Sequence, residues 1–159
     1  MTTVPAALVA AAAAFPEVEF ESVLGDTVAR ASRDDVVGLL EAVRDAGFEL
    51  FIDLCAVDYL SRNPRFDIAV NVVSVSQSLR LRVLVGIPGT DPQMPTVSSV
   101  YPGSNFYERE AFDLFGIEFS DHPDMTRILL PDDWEGHPLR KDVSVGSVPV
   151  QFKGANKAR

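Results

Sequence analysis

The sequence is poorest in the residues that hold metals and clusters. Its 159 residues include one cysteine, Cys55, and two histidines, His122 and His137. An internal disulfide is excluded, and a single thiol fits a reducing compartment. Iron–sulfur clusters usually take four Cys ligands, and structural zinc takes four Cys or His at tight spacing, so neither is expected in this chain. A glycine-rich dinucleotide fingerprint, a P-loop and a Gly-x-Ser-x-Gly elbow are also missing. Hydrophobic runs stay short of the ~18 apolar residues that span a bilayer. Basic residues are scarce: 14 Lys and Arg against 23 Asp and Glu leave a net charge of −9. That charge argues against nucleic acid and anionic lipid as partners. No base precedes Arg30, and the Ala-rich start runs straight into acids. It reads as a helix with Pro5 in its first turn and Pro16 at its end, rather than a secretory leader.

What is present suits one core. Hydrophobic residues make up 47% of the chain, and a domain of this size buries about 68–70% of its unfolded surface. Residues 18–24 alternate, with Val18, Phe20, Ser22 and Leu24 on one face, and Gly25-Asp26 turns them into a weaker strand at 27–31. The stretch 32–47 predicts a helix with Ser32 as cap, Asp34 and Asp35 at its positive end and Gly47 at its exit. Val36, Leu39, Leu40 and Val43 form its buried stripe. Strands at 49–60, 66–75 and 79–87 then follow through short polar connections, as an antiparallel meander. In the first of them Leu50, Ile52, Leu54 and Ala56 share a face. Cys55 is expected as a small buried residue of a central strand, with Asp53 and Asp58 at the wet face. The fold class is therefore α+β: a two-layer sandwich, mostly antiparallel sheet with helices on one face, followed by an irregular C-terminal docking segment. The expected divisions are an α+β domain at 1–104, a signature helix and docking segment at 105–142, and a tail at 143–159 that moves unless something holds it.

From Pro88 the chain turns to loop, with one helical turn at 96–100. A helix follows at 106–116, with Asn105 as cap and Gly116 as stop. Its spacing predicts Tyr107, Ala111, Leu114 and Phe115 inward, leaving Glu108, Arg109, Glu110 and Asp113 on the remaining surface, with Arg109 paired to Asp113. Both histidines precede proline and so hang from stiffened loops. With Asp121, Asp124 or Glu135 they could make up a three-ligand zinc site, as in a small metal-dependent hydrolase, but the spacing matches no familiar ligand pattern. Docking or internal bracing is the stronger reading. Residues 105–142 hold ten acids and four bases, while 143–159 hold three bases and no acid.

The stretch EREAFDLFGIEFSDHPDMTRILLPDDWEGHPLRKD, residues 108–142, closely resembles the signature region of the C subunit of NADH–quinone oxidoreductase, respiratory complex I. The resemblance rests on Glu108-Arg109-Glu110, Asp113-Leu114-Phe115-Gly116, His122-Pro123, Arg127-Ile128-Leu129, Glu135-Gly136-His137-Pro138 and Arg140-Lys141-Asp142. It implies a peripheral subunit, itself non-catalytic, of a proton-pumping enzyme in the respiratory electron-transport chain. FMN, iron–sulfur clusters and quinone would lie in other subunits. The implied partners are the quinone-site D subunit and neighbouring iron–sulfur subunits, on the cytoplasmic side of the bacterial plasma membrane and without a span of its own. Glu108, Arg109, Glu110, Asp113, His122, Asp124, Arg127, Trp134, His137, Arg140 and Lys141 are then expected in interface or bracing contacts. An energy-converting nickel–iron hydrogenase, or another dehydrogenase that does not use NADH, carries the same module. Two departures stand out: Thr126-Arg127 where the family usually has two bases, and Val143-Ser144 where an aromatic and proline commonly follow.

Overall fold

The computed structural model describes residues 4–144. A short helix, α1 (Ala6–Ala11), with Pro5 as its N-cap, runs into a 3-10 turn at Ala12–Ala14. Strands β1 (Glu19–Val23) and β2 (Asp26–Ala31) form a hairpin. Its two turn residues are Leu24 and Gly25, one place earlier than expected, with φ of 52° and 94°. Positive φ at both positions is the primed turn whose twist matches paired strands. Helix α2 (Val36–Asp45) follows. Ser32 does not cap it: its hydroxyl accepts from the Asp35 N–H (3.1 Å) and donates to the Asp35 carboxylate (2.7 Å), closing a turn ahead of the helix. At the far end Gly47 donates to Arg44 O and Phe48 to Val43 O, a Schellman exit that needs the glycine's φ of +96°.

Strands β3 (Leu50–Asp58), β4 (Phe66–Ser74) and β5 (Leu79–Ile87) make the antiparallel meander. The sheet order is β1-β2-β5-β4-β3, and β2 joins β5 in parallel with Thr27 beside Leu81, so the sheet is mixed. The predicted stripe of α2 is fully buried, against Phe66, Ile68, Val70 and Val72 of β4 and Leu81, Val83, Val85 and Ile87 of β5. Each such side chain contributes about 1.5–3 kcal/mol by leaving water.

Strand β3 departs from the sequence reading. It lies at the sheet edge, and a bulge between Phe51 and Asp53 interrupts its alternation. The extra residue shifts the phase by one place. Leu50 and Ile52 consequently stay 45% and 43% exposed, while Phe51 packs on the core beside Leu54 and Ala56. Cys55 is exposed rather than buried. Asp58, expected at the wet face, is buried at the strand end next to Phe66.

A parallel ribbon of β6 (Gln93–Pro95) and β7 (Glu118–Ser120) brackets helix α3 (Ser104–Phe115). Three-residue strands carry no readable period, so both were invisible in the sequence. Helix α3 starts one residue before Asn105, with Gly103 at the cap position, and ends at Gly116 with φ +68°. It lies along β3, where the Phe51 ring meets Tyr107 edge-on at 5.4 Å and Tyr101 at 6.0 Å. Beyond Ser120 the described chain has no helix or strand. The tail from residue 145 lies outside the described residues.

Candidate functional site

Helix α3 turns its carboxylates inward. Glu108 and Asp113, expected on the wet surface, are both fully buried, while Tyr107 is 36% exposed. The predicted stripe holds for Ala111, which is buried, and for Phe115, which packs against the core, but the other fully buried positions of the helix are polar. Burying a charge is costly unless it is fully hydrogen-bonded, and both carboxylates are.

Glu108 serves the N-terminal side of α3. Its oxygens accept from the hydroxyls of Thr96 (2.5 Å) and Ser104 (2.8 Å) and from the Val97 N–H (2.9 Å). The same carboxylate lies 3.8 Å from Nε2 of His122, whose side chain is also buried. His122 Nδ1 accepts from the Asp124 N–H (3.1 Å), which places the ring proton on Nε2, facing Asn105 O at 3.2 Å.

Asp113 organises the other end. Its Oδ2 accepts from three successive backbone N–H groups, Ile128, Leu129 and Leu130, at 3.2, 2.8 and 2.9 Å. Its Oδ1 binds the Arg127 guanidinium at 2.6 Å. Burial pushes the carboxyl pKa up, but the Leu130 N–H, Arg127 and the two remaining N–H groups outweigh it, so the group is held below the ordinary range. Arg127 also reaches Asp113 O and Gly136 O, and His137 Nδ1 donates to Asp113 O at 3.0 Å. The His137 ring covers Gly116 so closely that a Cβ there would lie 2.5 Å from Cδ2. Glycine at 116 is thus needed twice, for the left-handed stop and for this contact.

The expected Arg109–Asp113 pair does not form. Arg109 instead donates to the Thr126 carbonyl (3.0 Å) and hydroxyl (2.9 Å) and to Arg127 O (3.2 Å). Thr126, the departure from the family's two bases, is an acceptor here, whereas a base would meet Arg109 as a like charge.

A second cluster holds the end of the segment, and it was missed in the sequence. Arg65 grips Asp58 with two hydrogen bonds (2.9 and 2.7 Å) and reaches Asp142 at 2.8 Å. Asp58 also accepts from the Lys141 and Leu60 N–H groups. The Arg65 bonds, against the opposing effect of burial, hold the Asp58 carboxyl far below its usual range. Arg65 and Arg140 both lie over the Phe66 ring, at 4.9 and 5.4 Å. Arg65 and Asp142 are 77 residues apart, so no local spacing joins them.

The remaining candidates are more open. Trp134 is half-buried, while Glu110, Asp124 and Lys141 are exposed. No three His, Cys, Asp or Glu among the described residues come together as a metal-ligating group. No described helix is long and apolar enough to cross a membrane. The arrangement is an irregular segment moulded onto one helix and one sheet end, with Glu108, Arg109, Asp113, Arg127 and Asp142 engaged in fixing its shape.

Comparison with known proteins gives this shape a family. The model for the respiratory-chain NADH dehydrogenase 30 kDa subunit matches residues 29–148. The C subunit of NADH-quinone oxidoreductase from Roseiflexus sp. strain RS-1 is 44% identical over 74% of this chain and 68% of its own length. Its counterpart from Herpetosiphon aurantiacus is 41% identical over 88% of this chain and 84% of its own. Among solved structures, a trypsin-resistant fragment of Nqo5 superposes with a TM-score of 0.66 at 32% identity, covering 74% of this chain and 95% of the fragment. A component of an archaeal membrane-bound sulfane sulfur reductase shares the fold, with a TM-score of 0.78 over 96% of both chains at 22% identity. The chain belongs to the family of the 30 kDa subunit of respiratory-chain NADH dehydrogenase, the family of the NADH-quinone oxidoreductase C subunit.

Proposed function

We propose that this chain is a non-catalytic bracing subunit of a proton-pumping NADH-quinone oxidoreductase. In this reading it packs against the quinone-site D subunit and neighbouring iron–sulfur subunits, peripherally, on the cytoplasmic side of the membrane. Residues 105–142 supply the docking surface on an α+β body formed by 1–104. FMN, the iron–sulfur clusters and quinone belong to the other subunits, and this chain takes no step in electron transfer itself. The observation that carries the reading is the saturation of Asp113 by Arg127 and three backbone N–H groups. A buried carboxylate with every bond made inside the chain has no spare chemistry, but it fixes the shape of a surface loop.

The test is purification from native membranes through a tag on this chain, followed by mass spectrometry, an absorbance spectrum and NADH–quinone assays. A large assembly with iron–sulfur absorbance and NADH-driven activity is the expected result. An assembly fed by another donor would move the chain to a related complex, and a lone soluble chain would overturn the bracing role. Arg140→Ala and Trp134→Ala are each expected to lower the yield of that assembly. Intact assembly and activity in both variants would count against residues 105–142 as the contact.

A further inference from the structure

The Asp113 nest has an outward consequence. Three successive N–H groups are aimed at one carboxylate oxygen, and the side chains of Ile128 and Leu129 take no part in the core. They remain 38% and 59% exposed. Leu139 joins them: its N–H donates to Leu114 O at 3.1 Å, tying it to the same helix end, and it is 52% exposed. Arg127 binds the Asp113 carboxylate and Gly136 O, and His137 binds Asp113 O, so the segments around 127 and 137 are both tied to the end of α3. Three large apolar side chains are thus held in water by a rigid internal mould, whereas stability alone would fold them inward.

The rim is acidic. The loop between the two halves carries Asp132, Asp133 and Glu135, all exposed and without an ion pair among the described residues. The acids with structural work, Glu108, Asp113 and Asp142, are engaged elsewhere. A second copy of this chain would bring the same acids against these, and like charges across an interface oppose association.

We infer that Ile128, Leu129 and Leu139 form a preformed apolar ridge that seats in an apolar groove with a basic rim on a partner protein. The inference rests on the bracing role and names the surface and the partner's chemistry. Because the ridge is fixed before contact, little ordering entropy is lost on binding.

The experiment uses the full-length tagged chain expressed in its native membranes. The variants are Leu129→Glu/Leu139→Glu, the neutralised Asp132→Asn/Asp133→Asn/Glu135→Gln, and a control, Val75→Glu, at an exposed site after β4. The ridge variant is expected to lose about tenfold or more of the co-purifying assembly, as loss of central anchors does. The control should stay within about twofold of wild type. Wild-type association should weaken as salt rises, and that dependence should flatten in the neutralised chain. If the ridge variant unfolds, Leu129→Ser is read in its place. Respiratory assembly retained by the ridge variants overturns the ridge and leaves the bracing role standing. A different complex, lost specifically in the ridge variants and contacting through a basic face, overturns the role and keeps the ridge. A wild-type chain recovered alone or as a dimer overturns both.

Discussion

At the scale of single residues, two aspartates carry most of the architecture around the docking segment. Asp113→Asn keeps the volume but removes the charge that Arg127 and three N–H groups share, leaving Arg127 without its partner. We expect a loss of about 3 kcal/mol in urea unfolding of the isolated chain, the scale for a broken buried ion pair. Asp124→Asn, at an exposed carboxylate, should change stability by about 0.5 kcal/mol or less. Acid should act through the same groups. Asp58, Asp113 and Asp142 all have folded-state pKa values below the ordinary range. A carboxyl of that kind contributes stability that is complete above its unfolded pKa and is lost as pH falls toward the folded value. Urea midpoints should thus be flat near neutrality and fall below about pH 5, with a shallower fall in Asp58→Asn and Asp113→Asn. The sequence did not reveal which face these acids take. A hydropathy pattern places carboxylates in water, and the hydrogen-bond partners of Glu108 and Asp113, from Ser104 on the same helix to Leu130 beyond it, reverse that.

At the scale of elements, legibility followed periodicity. Helix α2 showed its four buried positions and its glycine exit plainly, because one apolar face meets one sheet and nothing interrupts it. Strand β3 hid half of its face because a single bulged position inverts every side chain before it, and Cys55 was misplaced because sheet order is not written in a strand's own pattern. Ribbon β6–β7 was too short to leave a pattern. The β1–β2 hairpin shows an element whose sequence and turn disagree. Leu24 holds φ +52° with its side chain wholly in water. Asparagine adopts that conformation with less strain, so Leu24→Asn should raise the thermal midpoint of the isolated chain by an amount equivalent to about 0.5–1 kcal/mol. A drop instead would mean that Leu24 packs on something in the free chain.

At the scale of the molecule, Arg65 joins the sheet end to the last described residues of the chain. Replacing it by Met leaves Asp58 buried with backbone N–H donors but no cation, and leaves Asp142 with only Arg140 at 3.9 Å. Hydrogen exchange should then show the Lys141 amide losing protection while the amides of β4 keep theirs; equal loss in both would mean global unfolding and would count against a separable clamp. The mixed sheet has a further consequence for how the chain is made. Strand β2 is a parallel neighbour of β5, and β5 leaves the ribosome only after α2, β3 and β4. At synthesis rates of ~5–20 residues per second the hairpin waits on the order of several seconds for its lasting neighbour. During that interval the apolar stripe of α2 has half a sheet to cover it. Strand β5 is thus the closing piece, the point in synthesis at which two local fragments become one cooperative body.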